Sequence, residues 1–282
     1  MLSPFVTREK RIMNRYRVRN GFGVGLTMAF LWLACAPGMA ADISLVALYK
    51  RQVFVQTNAG PAFPRCSPFM FDAIVELAGS NSVAAAAVAA PGGAQTALTV
   101  SEEREFLPRR WFSWTCGSFP TQEALEAMWP NGKYSFFIFG TSNRFTAPAL
   151  SLAGDTYPTN APHIQNFVEA QAVDPATDFS LRWDAFPEGT TNDVVFVSVR
   201  SVAEQAAVFS TAFLKREGGL DGTATAVTIP AGILAAGQDY DVYVRFDKVL
   251  ERNEVMPGVA GLASYASGTH FILKTNPAPA GS

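Results

Sequence analysis

From Tyr240 to Asp247 the chain alternates without interruption, Tyr240, Val242, Val244 and Phe246 against Asp241, Tyr243, Arg245 and Asp247. A period of two sends successive side chains to opposite faces of a strand, and a strand with one apolar and one polar face belongs to an antiparallel sheet covered on one side. Phe179 to Asp184 repeats the pattern, with Phe179, Leu181 and Trp183 apolar and the residues between them polar. Val194 to Val199, Ala226 to Ile229 and Phe271 to Leu273 add three short strands, set apart by turn residues such as Pro187-Glu188-Gly189 and Gly218-Gly219. Short strands at regular spacing, with no helix between them, indicate a β-sandwich.

The N-terminal half carries the same signals less cleanly. Strands are expected at Ile43 to Tyr49, Val53 to Gln56, Phe69 to Leu77, Val83 to Ala89, Thr96 to Val100, Phe106 to Thr115 and Tyr134 to Phe139. The alanine run Ala84 to Ala90 suits a helix by propensity. Pro91-Gly92-Gly93 behind it suits a hairpin instead, so the run is read as strand. One helix is expected at Gln122 to Trp129, with Thr121 as its cap and Leu125, Met128 and Trp129 on one face. Thr156 to Pro162, with two prolines and no periodic apolar pattern, reads as a linker between the halves.

Residues 1–40 have the layout of a secretory signal peptide. Arg8, Lys10, Arg11, Arg15, Arg17 and Arg19 face the single acid Glu9, and no charge occurs from Gly21 to Ala41. The apolar stretch Phe22 to Ala36 ends at Pro37-Gly38, and Gly38 and Ala40 supply small residues for cleavage near Ala40. The alternative is an uncleaved anchor, since the uncharged run approaches the roughly 20 residues that span a bilayer. A lipid anchor on Cys35 fits less well with Trp32 ahead of it. Six of the 22 basic and one of the 24 acidic residues lie before residue 41, which leaves 16 against 23, a net charge of −7. A chain so acidic is a poor match for nucleic acid or for an anionic membrane. Cys66 and Cys116 remain as a pair, and in an oxidising compartment a disulfide between them is expected.

Trp183 lies on an early strand, and Leu234 and Gly237 lead to Tyr240 at the start of the alternating strand. In these residues the C-terminal half resembles a fibronectin type III or related immunoglobulin-like domain, whose corner carries a Leu, Gly and Tyr. The resemblance spans about Pro162 to Thr275 and implies a tyrosine whose ring is buried while its hydroxyl bonds to upstream backbone. Ala236 stands where the family carries proline, and Ala203 to Gly222 and Leu250 to Gly268 are longer than its usual loops. Gly132-Lys133-Tyr134 sets a second glycine just ahead of a tyrosine that opens an apolar strand. The expected fold is therefore all-β, two tandem immunoglobulin-like antiparallel β-sandwich domains after a signal peptide. They would occupy 41–157 and 162–276, with a tail at 277–282.

Catalytic motifs are absent from the sequence. No GxSxG, P-loop, GxGxxG, CxxC or HExxH string occurs, so no cofactor and no metal is assigned. His163 and His270 are read as exposed or structural, and Asp241 and Asp247 as facing solvent beside Asp239. Glu102, Glu103 and Glu105 form the densest acidic cluster, read as a charged hairpin edge; a hydrolase with two carboxylates far apart in sequence stays open. The aromatic strands are more informative. Tyr134, Phe136 and Ile138 share one face and Phe137 and Phe139 the other, and in Arg109 to Trp114 one tryptophan must face away from its neighbour. Burial of both faces is the favoured expectation. If they are outward, Arg109, Trp111, Phe137 and Phe139 would form a binding surface for a polysaccharide or another exported protein.

Overall fold

The structure is a computed structural model that describes residues 43–78, 82–101, 111–141, 145–154, 156–212 and 218–278. Residues 1–40, with the expected signal peptide, lie outside them, as do Arg109 and the acidic cluster at 102–105. Among the described residues no helix is long and apolar enough to cross a membrane.

Among the described residues are fifteen strands, one α-helix and a 3-10 turn at Glu169–Gln171. The N-terminal half contains β1 (Ile43–Val55), β2 (Phe63–Leu77), β3 (Val83–Ala89), β4 (Gln95–Ser101), β5 (Trp111–Phe119), α1 (Gln122–Met128), β6 (Gly132–Gly140), β7 (Phe145–Thr146) and β8 (Ala149–Leu152). The alanine run is β3, and the turn after it places Gly92 and Gly93 at φ of 94° and 92°, which glycine alone adopts freely. Thr121 caps α1, its Oγ1 accepting the Ala124 N–H at 3.2 Å. β4 pairs β3 through Ala97 and Leu98, then β5 through Thr99 and Val100. Through this change of partner β4 links β5 to β3, and β1, β2, β3, β6 and α1 supply a first core of Val46, Leu48, Phe71, Val88, Leu125, Phe136 and Ile138.

The C-terminal half contributes β9 (Phe179–Arg182), β10 (Val194–Ser201), β11 (Ala206–Ser210), β12 (Leu220–Asp221), β13 (Ala226–Ile229), β14 (Asp239–Met256) and β15 (Val259–Lys274). β9 and β13 form a two-stranded sheet, while β11, β10, β14 and β15 lie side by side in the large sheet. A second core, with Trp183, Leu181, Val195, Val197, Tyr240, Val244, Phe246 and Phe271, fills this sandwich.

The segment Leu250 to Gly268, expected as a long loop, is instead the far arm of the β14–β15 hairpin. Its turn is Pro257-Gly258, with Gly258 at φ 76°, and proline followed by a left-handed glycine is the chemistry of a tight turn. Two bulges, between Val249 and Glu251 and between Glu254 and Met256, break the alternation that would have marked the strand. The arm reaches the first core, to which it adds Val259, Ala263 and Tyr265. β15 then runs parallel to β1 from Leu45 opposite Ala260 to Val55 opposite His270. The expected boundary near residue 160 thus falls between two cores, while one hydrogen-bonded sheet path passes through both halves.

The expected disulfide is not formed, and Cys66 is an exposed free thiol on β2. Cys116 pairs through its backbone with Phe71. Five residues of strand separate Phe71 from Cys66, about 16 Å at the usual rise, whereas a disulfide needs Cα atoms within about 7 Å.

Candidate functional site

β6 runs beside β3, with Ala85 opposite Phe139 and Ala87 opposite Phe137, and β3 runs beside β4, with Ala87 opposite Ala97. Tyr134, Phe136 and Ile138 are buried in the first core, so the pleat sends Phe137 and Phe139 to the other face. That face is open: Phe139 is 46% and Phe145 of β7 is 53% exposed, with Phe137 half-buried beside them. The favoured expectation of burial on both faces is corrected here. The rings contact one another, Phe139 and Phe145 with centroids 5.0 Å apart and Phe137 and Phe145 6.1 Å apart. Next to this ridge the small side chains of Ala85, Ala87 and Ala97 make a low floor, with Ala85 and Ala97 exposed. Aromatic ridge and alanine floor form one apolar shelf across four neighbouring strands, β4, β3, β6 and β7.

Of the other expected binding residues, Arg109 lies outside the described residues and Trp111 lies apart from this ridge. The backbone of Trp111 sits on β5, opposite Glu76 of β2 and Ser101 of β4, and β4 and β3 separate β5 from β6. Phe145 escaped the sequence pattern because its strand is two residues long, too short to show alternation.

The corner residues occupy the second core and its rim. Trp183 is fully buried and its Nε1–H donates to the Ala224 carbonyl at 2.9 Å. Leu234 is buried, Gly237 has φ 67°, and the Tyr240 hydroxyl accepts the Ala235 N–H at 2.6 Å. Tyr134 is buried too, and its hydroxyl donates to the Pro130 carbonyl at 2.6 Å. Burial, followed by the Glu126 carboxylate, raises the Tyr134 phenol above its ordinary pKa, so it stays a donor.

The reverse face of the long sheet, away from both cores, carries a charged seam. Asp247 and Arg245, expected in solvent, are buried, with Arg245 Nε 2.8 Å from Asp247 Oδ2 and the Ser264 hydroxyl donating to Asp247 Oδ1 at 3.1 Å. The Arg245 guanidinium also lies over the rings of Tyr49 at 4.7 Å and Phe196 at 5.3 Å. Aromatic residues of β1 and β10 therefore remove from water what alternation on β14 alone assigned to it. Burial acts to lower the Arg245 pKa, but Asp247 with Tyr49 and Tyr243 overrides it and keeps the guanidinium charged. Burial raises the Asp247 carboxyl, and Arg245 offsets only part of that rise.

The histidines have carboxylate neighbours. His163 Nδ1 lies 3.0 Å from Asp184 Oδ2 and its Nε2 3.2 Å from the Ala59 carbonyl, so both ring nitrogens are engaged. His270 Nδ1 lies 2.9 Å from Asp241 Oδ1, and its ring stacks on Tyr243. Among the described residues no group of three or more His, Cys, Asp or Glu side chains is arranged to hold a metal.

No family model matches the sequence, and no curated protein matches it. Among solved structures, the chain is similar to the BSP domain of a biofilm-associated protein at 10% identity and TM-score 0.22, covering 82% of this chain and 30% of that one. It is similar to the chicken CNTN1 FN1-FN3 domains at 9% identity and TM-score 0.25, over 74% of this chain and 63% of the other. Murine CEACAM1b matches at 9% identity and TM-score 0.22, over 82% of this chain and 99% of that chain. The chain thus spans less than two thirds of the first two structures. The fold is all-β and sandwich-like.

Proposed function

We propose that the protein is exported and non-catalytic, and that it binds an extended surface polysaccharide on the shelf formed by Phe137, Phe139 and Phe145 beside Ala85, Ala87 and Ala97. The observation that carries this reading is a group of three phenylalanine rings on an open sheet face, with Phe145 packed against both Phe137 and Phe139. Large apolar side chains left together in water mark a recognition surface. Aromatic faces stack on the C–H faces of sugar rings, and the alanine floor leaves room for a chain to lie flat against the ridge. The acidic balance of the chain past residue 40 favours a neutral polymer over an acidic one. The signal layout of residues 1–40 and the fibronectin type III-like pattern of 162–276 supply compartment and scaffold.

The test is co-sedimentation of the purified chain with insoluble cellulose, chitin and β-1,3-glucan, followed by calorimetry on soluble oligosaccharides of whichever polymer binds. Phe139→Ala with Phe145→Ala should weaken binding by about 5- to 150-fold, taking about 0.5 to 1.5 kcal/mol per aromatic contact, with an unchanged circular dichroism spectrum. Binding retained at full strength by the double variant, or binding to none of the polymers, overturns the reading.

A further inference from the structure

β1 turns Val46 and Leu48 into the first core, and the next residue on that face is Lys50. Lys50 is fully buried, flanked in the sheet by Phe71 on β2 and Tyr265 on β15. Phe71 stacks in turn on Trp129 and Tyr134. In this apolar setting the partners of the Lys50 Nζ include Glu126 Oε1 of α1 at 2.5 Å and Asn131 Oδ1 in the turn before β6 at 2.8 Å. The Tyr265 hydroxyl donates to the same Asn131 Oδ1 at 2.5 Å.

A buried amine within hydrogen-bond reach of both a carboxamide and a carboxyl group, and flanked by aromatic side chains, supplies the reactants and the proton carrier of an amide exchange. We infer that Lys50 and Asn131 condense to an intramolecular isopeptide bond, with Glu126 moving the protons and Tyr265 holding the developing oxyanion. Glu126, whose Oε1 already accepts from the Lys50 ammonium, takes a proton from it. The freed Nζ lone pair attacks Asn131 Cγ, one carbonyl bond length, about 1.2 Å, beyond the oxygen that Nζ already touches. The N–C bond forms, and the Tyr265 hydroxyl stabilises the charge that gathers on Oδ1. Glu126 delivers the proton it holds to the departing amide nitrogen and then takes the second Nζ proton, so that the C–NH2 bond breaks, ammonia leaves and Glu126 ends as the neutral acid. No oxidant, metal or nucleotide takes part. The product ties β1 to the turn that opens β6 across 81 residues of chain.

Intact-mass spectrometry of the purified full chain after folding is the test, with tryptic mapping. The folded protein should weigh one ammonia less than its sequence, or than its sequence from the observed N-terminus if the leader has been removed. Trypsin should fail to cut after Lys50, and the peptide holding Lys50 should be joined to the one holding Asn131. Glu126→Gln and Asn131→Ala should each show the full sequence mass. Asn131→Asp should lose water instead and reach the same mass as the condensed natural chain. Glu126→Gln keeps the packing of α1 and guards against a variant that merely misfolds. A natural chain at full mass overturns the inference. So does loss of ammonia with Lys50 still cleaved by trypsin, since Asn131 precedes Gly132 and could then have closed on the Gly132 nitrogen as a succinimide.

Discussion

Replacement of Arg245 by methionine isolates the cost of the charged seam. The variant keeps an unbranched side chain between the Tyr49 and Phe196 rings, and a thioether packs well against aromatic faces. It leaves Asp247, fully buried, with the Ser264 hydroxyl but without the guanidinium 2.8 Å away. Breaking a buried pair by removing one partner costs about 3 to 5 kcal/mol. For a chain of this size in urea, a slope of about 3 kcal/mol per molar moves the unfolding midpoint down by about 1 to 1.7 M. The pH dependence has a fixed sign. Burial already raises the Asp247 pKa with Arg245 present, and loss of the cation raises it further. Between the ordinary aspartate range and that raised value, the folded state binds more protons than the unfolded one, so stability from this group grows as pH falls. The deficit of Arg245→Met should therefore be largest at neutral pH and shrink in mild acid. Adding Asp247→Leu should restore the midpoint at neutral pH, because an apolar pair replaces the ionic one. A single variant within about 1 kcal/mol of the natural protein at neutral pH, where breaking a buried pair should cost several times that, would refute this reasoning. A deficit that deepens in acid would do the same.

Three further outcomes follow from the same geometry. Tyr240→Phe keeps the buried ring but removes the acceptor of the Ala235 N–H, and thermal or urea unfolding should show a loss of about 1 to 2 kcal/mol. Cys66 should react with a thiol reagent in the native, unreduced protein, as an exposed free cysteine does; labelling that requires denaturation would contradict its placement. A fragment of residues 41–160 lacks the parallel partner of β1 and the core side chains Val259, Ala263 and Tyr265. It should aggregate or unfold on size-exclusion chromatography, with β1 left as an unpaired edge, and a folded monomer would show that the first core is self-sufficient.

The strands were legible where one face is apolar and the other polar, as on β14 from Tyr240 to Asp247, because alternation there records burial directly. β3 was legible for a different reason, since its alanines say little and the Pro91-Gly92-Gly93 turn decides. The two groups with the most chemistry were not legible. Lys50 stands in the polar run Lys50-Arg51-Gln52, which reads as a break between strands at Ile43 to Tyr49 and Val53 to Gln56, whereas β1 runs through it. Only the register, with Phe71 on one side and Tyr265 on the other, shows that its side chain enters the core. Asp247 and Arg245 were assigned to the correct face of β14 but to the wrong medium, because alternation on one strand cannot show that Tyr49 and Phe196 come from β1 and β10 to enclose them.

Both misreadings share a cause in the topology. A tandem pair of sandwiches would leave each outer face to water, and the polar positions of β14 and β1 would then be solvated. The long β14–β15 hairpin instead adds β15 beside β1 and makes one sheet of the two halves. Positions that are edge or surface in a single sandwich become the middle of a wide sheet, flanked by strands on both sides. The bulges at Val249–Glu251 and Glu254–Met256 let the hairpin extend, yet the same bulges erase its period-two signature. The feature that joins the two cores is thus the one that local sequence periodicity is least able to report.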